Sequence, residues 1–145
     1  MSKGNDIILV EDSASDTEFT IRALRKNNIL NKVIHLQNGE EFLEYIFGTG
    51  QYAGRNTAEL PGIIILDLKM PKISGLEVLK KIKSDERTRI IPVILLTSSK
   101  EDNDIIEGYH LGVNSYIVKP VDFVSFEKAI KDIGSYWLSI NESPK

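Results

Sequence analysis

The chain has no cysteine. That excludes a disulfide scaffold and any thiolate metal site, and makes a reduced, cytoplasmic setting the expectation. Long hydrophobic runs are missing as well. None approaches the ~18 apolar residues that span a bilayer, and the opening MSKGND has no secretory apolar segment, so neither a membrane partner nor an export signal is expected. Basic charge is not in excess: 18 Lys and Arg against 21 Asp and Glu leave −3, with the signs mixed. A nucleic-acid partner, which would need a basic face, is therefore not expected. Internal repeats and low-complexity tracts are also absent. With 41% hydrophobic and 27% charged residues the chain has enough apolar surface to bury a core. Its 145 residues suit a single domain, 1–145, with a core over about 6–140.

Short β-branched segments alternate with segments of helical period. DIILVE (6–11), KVIHLQ (32–37), GIIILD (62–67), PVILLT (92–97) and SYIVK (115–119) read as strands. Helices are expected at about 15–27, 39–47, 75–84, 101–111 and 122–140. Ser15 with Glu18 and Ser74 with Glu77 have capping-box spacing, and Gly112 suits a left-handed cap after the fourth helix. Alternation of this kind implies parallel pairing through crossover helices, and near-continuous apolar strands imply a sheet covered on both faces. The expected fold is α/β: a doubly wound, five-stranded parallel sheet in the flavodoxin-like order 2-1-3-4-5, with helices on both faces. One long connection, GTGQYAGRNTAELPG (48–62), reads as a surface loop, since it neither follows a strand nor opens a helix as a phosphate-binding loop does.

In open α/β sheets ligands bind beyond the carboxyl ends of the strands. Here the first strand ends in Glu11-Asp12, the third in Asp67, the fourth in Thr97-Ser98-Ser99 and the fifth in Lys119-Pro120. Three carboxylates, a hydroxyl cluster and one ammonium thus converge on one rim. Carboxylates that close repel one another, which a hard, oxygen-seeking Mg²⁺ relieves. Beside that ion Asp67 can stay ionised and act as the nucleophile toward a phosphoryl group, forming an aspartyl-phosphate. Lys119 would hold phosphoryl oxygens as a point charge and Thr97 would hydrogen-bond another.

LVED with Glu11 and Asp12, ILDLKMP with Asp67, the Ser-Gly of KISGLEVL, ILLTSS with Thr97 and YIVKP with Lys119 together resemble a response-regulator receiver domain. The spacings 97 − 67 = 30 and 119 − 97 = 22 fit that family, and the match covers nearly the whole chain. FGTGQYAG and SYWLS further resemble stand-alone regulators of phytochrome-type histidine kinases. The resemblance implies a two-component switch that takes a phosphoryl group from a sensor histidine kinase onto Asp67. It implies that Asp12, Asp67 and the main-chain carbonyl of Lys69 hold Mg²⁺, with Glu11 acting through water. It also implies that Thr97 swings toward the phosphoryl group as Tyr116 rotates, and that the Lys119–Pro120 bond is cis. Such a protein is not an enzyme in the ordinary sense, catalysing only its own phosphoryl transfer and dephosphorylation. Two alternatives are a haloacid-dehalogenase-like aspartyl-phosphate phosphatase, weakened because Lys69 stands where a second acid is wanted, and a receiver-like adaptor that is never phosphorylated.

Two further features fall outside the rim. His35 and His110 lie far apart with no cysteine to join them, so zinc is not expected, and His35 reads as structural or exposed. Phe123, Phe126, Ile130, Ile133, Trp137 and Ile140 step by 3, 4, 3, 4, 3 along the last helix. Packing on the sheet accounts for most of that stripe; its late end, at Trp137 and Ile140, suggests a homodimer.

Overall fold

A computed structural model describes residues 6–68, 70, 72–97, 115–118, 124 and 126–131. Strand β1 (Ile7–Val10) leads into helix α1 (Ala14–Lys26), then β2 (Val33–Leu36) into α2 (Gly39–Phe47). A 3-10 turn (Gly50–Tyr52) precedes β3 (Ile63–Asp67), which is followed by α3 (Gly75–Ser84), β4 (Val93–Thr97) and β5 (Ser115–Val118). Residues 126–131 are helical. All neighbouring strands pair in parallel, in the order β2-β1-β3-β4-β5. That is the order expected from the sequence. The expected helix over 101–111, the cap at Gly112 and most of the last helix lie outside the described residues.

The β-branched runs form central strands because both of their faces are covered. Ile7, Leu9, Ile63, Ile65, Ile94 and Leu96 pack on one side with Ala23 and Leu24 of α1 and Phe126, Ala129 and Ile130 of the last helix. Ile8, Val10, Ile64, Leu66, Val93 and Leu95 pack on the other with Phe42 and Ile46 of α2 and Val78, Leu79 and Ile82 of α3. Side chains alternate between these two cores along each strand, as a period of two requires. Each such side chain, fully buried, contributes about 1.5–3 kcal/mol. The sheet therefore holds the strand ends firmly, and the rim is built on those ends.

Two helix starts differ in detail. At α3 the capping box is present as expected: Glu77 N–H donates to Ser74 Oγ and Ser74 N–H to Glu77 Oε1, each at 3.3 Å. At α1 the cap is Ser13, not Ser15. Asp16 N–H donates to Ser13 Oγ at 3.3 Å, while Glu18 pairs with Arg22 one turn on. The helix starts earlier because the chain has already left β1 at Val10, so Ser13 is the residue with extended backbone that a cap needs.

The 48–62 connection runs at the surface, with residues 48–60 exposed or half-buried, and is anchored by its own side chains. Arg55 donates from Nε to the Tyr45 carbonyl and from Nη2 to the Ile46 carbonyl at 3.3 Å, so it satisfies the carboxyl end of α2. Its guanidinium lies 4.2 Å from the centre of the Tyr45 ring. Tyr52 stacks edge-on to Tyr45 and donates its hydroxyl to Glu41 at 2.8 Å. That bond and burial push the Tyr52 hydroxyl above its ordinary pKa.

Candidate functional site

The site follows from register. The β1–β3 ladder closes with Val10 beside Leu66, so Glu11 and Asp67 leave neighbouring strands side by side, with Asp12 next in the chain. Glu11, Asp12 and Asp67 each offer a carboxylate oxygen, and these atoms lie within 4.8 Å of one another. Glu11 is fully buried and Asp67 only 4% exposed, whereas Asp12 is exposed. The Ser13 N–H donates to Glu11 Oε2 at 3.2 Å, which aims that carboxylate across the strand end. On the far side Asp67 pairs with Leu96 of β4, and Leu68 N–H continues the ladder to the Leu96 carbonyl at 2.8 Å.

The helix after β3 is seated on the same strand end. Gly75 N–H donates to the Leu68 carbonyl at 2.7 Å. A side chain there would meet the Asp67 and Leu68 main chain, so glycine is what lets α3 begin so close to Asp67. This accounts physically for the glycine of the Ser-Gly pair.

The donor set suits a hard divalent cation. Oxygens opposite one another around Mg²⁺ stand about 4.2 Å apart when each bond is about 2.1 Å. A cluster within 4.8 Å can close on such an ion directly or through a bridging water. Two buried carboxylates beside a third also need a compensating positive charge. The residues present therefore fit the metal.

The other expected members are placed in part. Thr97 closes β4 beside Val118 of β5, one residue past the Asp67 partner, so its backbone reaches the same rim. Tyr116 pairs with Leu95. The side chains of Thr97 and Tyr116 lie outside what is described, as do Lys69, Lys119 and Pro120. One residue that sequence reasoning set aside does approach the site: His35 Nε2 lies 2.7 Å from the Glu11 carbonyl oxygen.

The response regulator receiver domain family model matches residues 7–131. The chain belongs to the response-regulator receiver family. Among curated relatives of this receiver domain, the probable methanogenesis regulatory protein FilR2 of Methanothrix harundinacea is 38% identical over 138 residues, 95% of this chain and 86% of the relative. Among solved structures, bacteriophytochrome response regulator RtBRR is 45% identical with a TM-score of 0.81, over 92% of this chain and 79% of that one. The Mn(2+)-bound form of response regulator Rcp1, from Synechocystis sp., is 34% identical with a TM-score of 0.76, over 97% and 96% of the two chains. These likenesses place the receiver domain in two-component signalling, beside phytochrome response regulators. They give no support to a phosphatase of another fold family or to an adaptor without phosphorylation. Among the described residues no helix is long and apolar enough to cross a membrane.

Proposed function

We propose that this receiver domain accepts a phosphoryl group from a sensor histidine kinase onto Asp67, in the presence of Mg²⁺, and changes its protein-binding surface in response. The observation that carries the reading is the convergence of Glu11, Asp12 and Asp67, with Asp67 buried at the tip of a central strand. A carboxylate oxygen of Asp67 attacks the phosphorus of a phosphohistidine. A P–O bond forms as the P–N bond breaks, and the electron pair leaves on the imidazole, which takes up a proton. Asp12, Asp67 and the Lys69 carbonyl would hold the metal, with Glu11 acting through water. When bound, the cation neutralises charge on the carboxylates and on the phosphoryl oxygens.

Lys119 and Thr97 bind phosphoryl oxygens in this reading, and movement of Thr97 frees space for Tyr116. The cis Lys119–Pro120 bond belongs to the same family-based assignment. The protein is a signalling switch whose only chemistry is on its own aspartate, working in the cytoplasm. Likeness to the bacteriophytochrome response regulator RtBRR supports a phytochrome-type kinase as the donor. Phe126, Ala129 and Ile130 are buried in the core, so a homodimer through the last helix would fall to Trp137 and Ile140.

Fluorine NMR of the protein with beryllium fluoride tests the reading. Wild type should give a bound resonance that needs Mg²⁺, and Asp67→Asn should give none. A bound signal of equal strength in Asp67→Asn would remove Asp67 as the acceptor.

A further inference from the structure

At the rim, the parallel ladder between β1 and β2 continues to Glu11, whose N–H donates to the Leu36 carbonyl at 3.1 Å. Two residues further, at Asn38, the β2 segment has become the cap of α2. A side chain carries the connection one step beyond the ladder. His35 Nε2 lies 2.7 Å from the Glu11 carbonyl oxygen and 3.3 Å from Thr17 Oγ1. Alternation along β2 explains the direction. Ile34 and Leu36 belong to the core under α2 and α3, and Val33 to the opposite one, so His35 turns toward the face where α1 begins.

The proton on this ring can be assigned. A carbonyl oxygen only accepts. The Thr17 hydroxyl already donates to the Ser13 carbonyl at 2.9 Å, so toward His35 its oxygen accepts as well. The short Glu11 contact therefore requires a hydrogen on Nε2, and the longer Thr17 contact shares that one hydrogen.

We propose that His35 is a positioning residue for the metal site, an inference that rests on the function proposed above. The Glu11 carbonyl belongs to the planar peptide that also contains the Asp12 nitrogen and α-carbon. Holding that oxygen fixes how the backbone enters Asp12. Asp12 is the exposed member of the three carboxylates, without the burial that confines Glu11 and Asp67. The second contact ties the same ring to the first turn of α1, which immediately follows. One imidazole thus ties the backbone before Asp12 to the helix turn after it, as outer partners orient metal ligands elsewhere.

The test compares Mg²⁺ affinity, by calorimetry on the full chain, in wild type, His35→Phe, His35→Asn and His35→Gln, with unfolding free energies measured separately in metal-free buffer. Glutamine places an amide N–H where Nε2 stands, whereas asparagine is one methylene too short and phenylalanine has no donor. His35→Phe and His35→Asn should bind Mg²⁺ about tenfold more weakly, and His35→Gln should stay near wild type. If phenylalanine does not fold, the Asn–Gln pair decides. Nitrogen-15 NMR of the metal-free protein should show the His35 hydrogen on Nε2. Equal Mg²⁺ affinity in all four proteins, failure of glutamine to rescue, or a hydrogen confined to Nδ1 would overturn the role of His35 while leaving the phosphorylation reading intact. Wild type that binds no Mg²⁺ would overturn both.

Discussion

Gly75, the first residue of α3, lies directly against the main chain of Asp67. A β-carbon built on it would overlap the Asp67 carbonyl oxygen and come within 2.6 Å of the Leu68 α-carbon. The obstruction is backbone at the end of a buried strand, which has little room to yield. Replacing Gly75 with alanine should therefore destabilise the protein by about 1–3 kcal/mol despite alanine's better helix propensity. It should also slow phosphorylation, because relief of the clash must displace α3 or the acceptor. Urea unfolding and the rate of labelling by acetyl phosphate check the two effects. An alanine variant as stable as wild type would contradict the packing described.

The cap of α1 provides a second test. Ser13 accepts from Asp16 N–H, while Ser15 stands inside the first turn. Ser13→Ala should cost about 1 kcal/mol, and Ser15→Ala much less. Denaturation midpoints at unchanged m-value measure both. The opposite ranking would restore the cap that the sequence suggests.

Lys83 makes stability depend on pH in a defined direction. Its ammonium donates to the Arg89 and Ile91 carbonyls at 3.0 and 2.7 Å, and burial lowers its pKa from 10.5 to about 8. Below pH 8 folded and unfolded chains both carry the proton. Between about 8 and 10.5 the folded protein has released a proton that the unfolded chain keeps, so this group's contribution to stability rises with pH across that window. Wild type should therefore gain on Lys83→Met as pH rises from 8 toward 10.5. A difference that stays flat there would contradict the assignment.

Arg55 should be the anchor of the 48–62 connection. Arg55→Ala removes two hydrogen bonds to the end of α2 and the stacking on Tyr45. A loss of about 1–2 kcal/mol is expected, with faster amide exchange in residues 49–57. Lysine should not restore protection, since it lacks the planar fork that reaches both carbonyls.

These particulars show what the sequence could and could not reveal. The strands were legible because parallel strands buried on both faces must be apolar almost without interruption, and Ile63 to Leu66 are. The rim was legible for a related reason: where an apolar run stops at Asp67 or Glu11, register alone brings the carboxylates together. The cap of α1 was not, because Ser13 and Ser15 are the same residue type and only the path of the chain out of β1 chooses between them. His35 and Arg55 were hidden by distance. His35 meets a carbonyl 24 residues away, and no local spacing encodes a contact with a main-chain oxygen. Arg55 likewise finishes a helix that ends at Phe47. Thr97 reaches the rim as a strand end, while Lys119 falls outside the described residues.

In the proposed function everything turns on Asp67 as the acceptor of the phosphoryl group. Intact-protein mass after incubation with acetyl phosphate, with and without Mg²⁺, tests it most directly in wild type and Asp67→Asn. One phosphate is expected on wild type only when Mg²⁺ is present, and none on the asparagine variant under either condition. An adduct of equal yield on folded Asp67→Asn would contradict it.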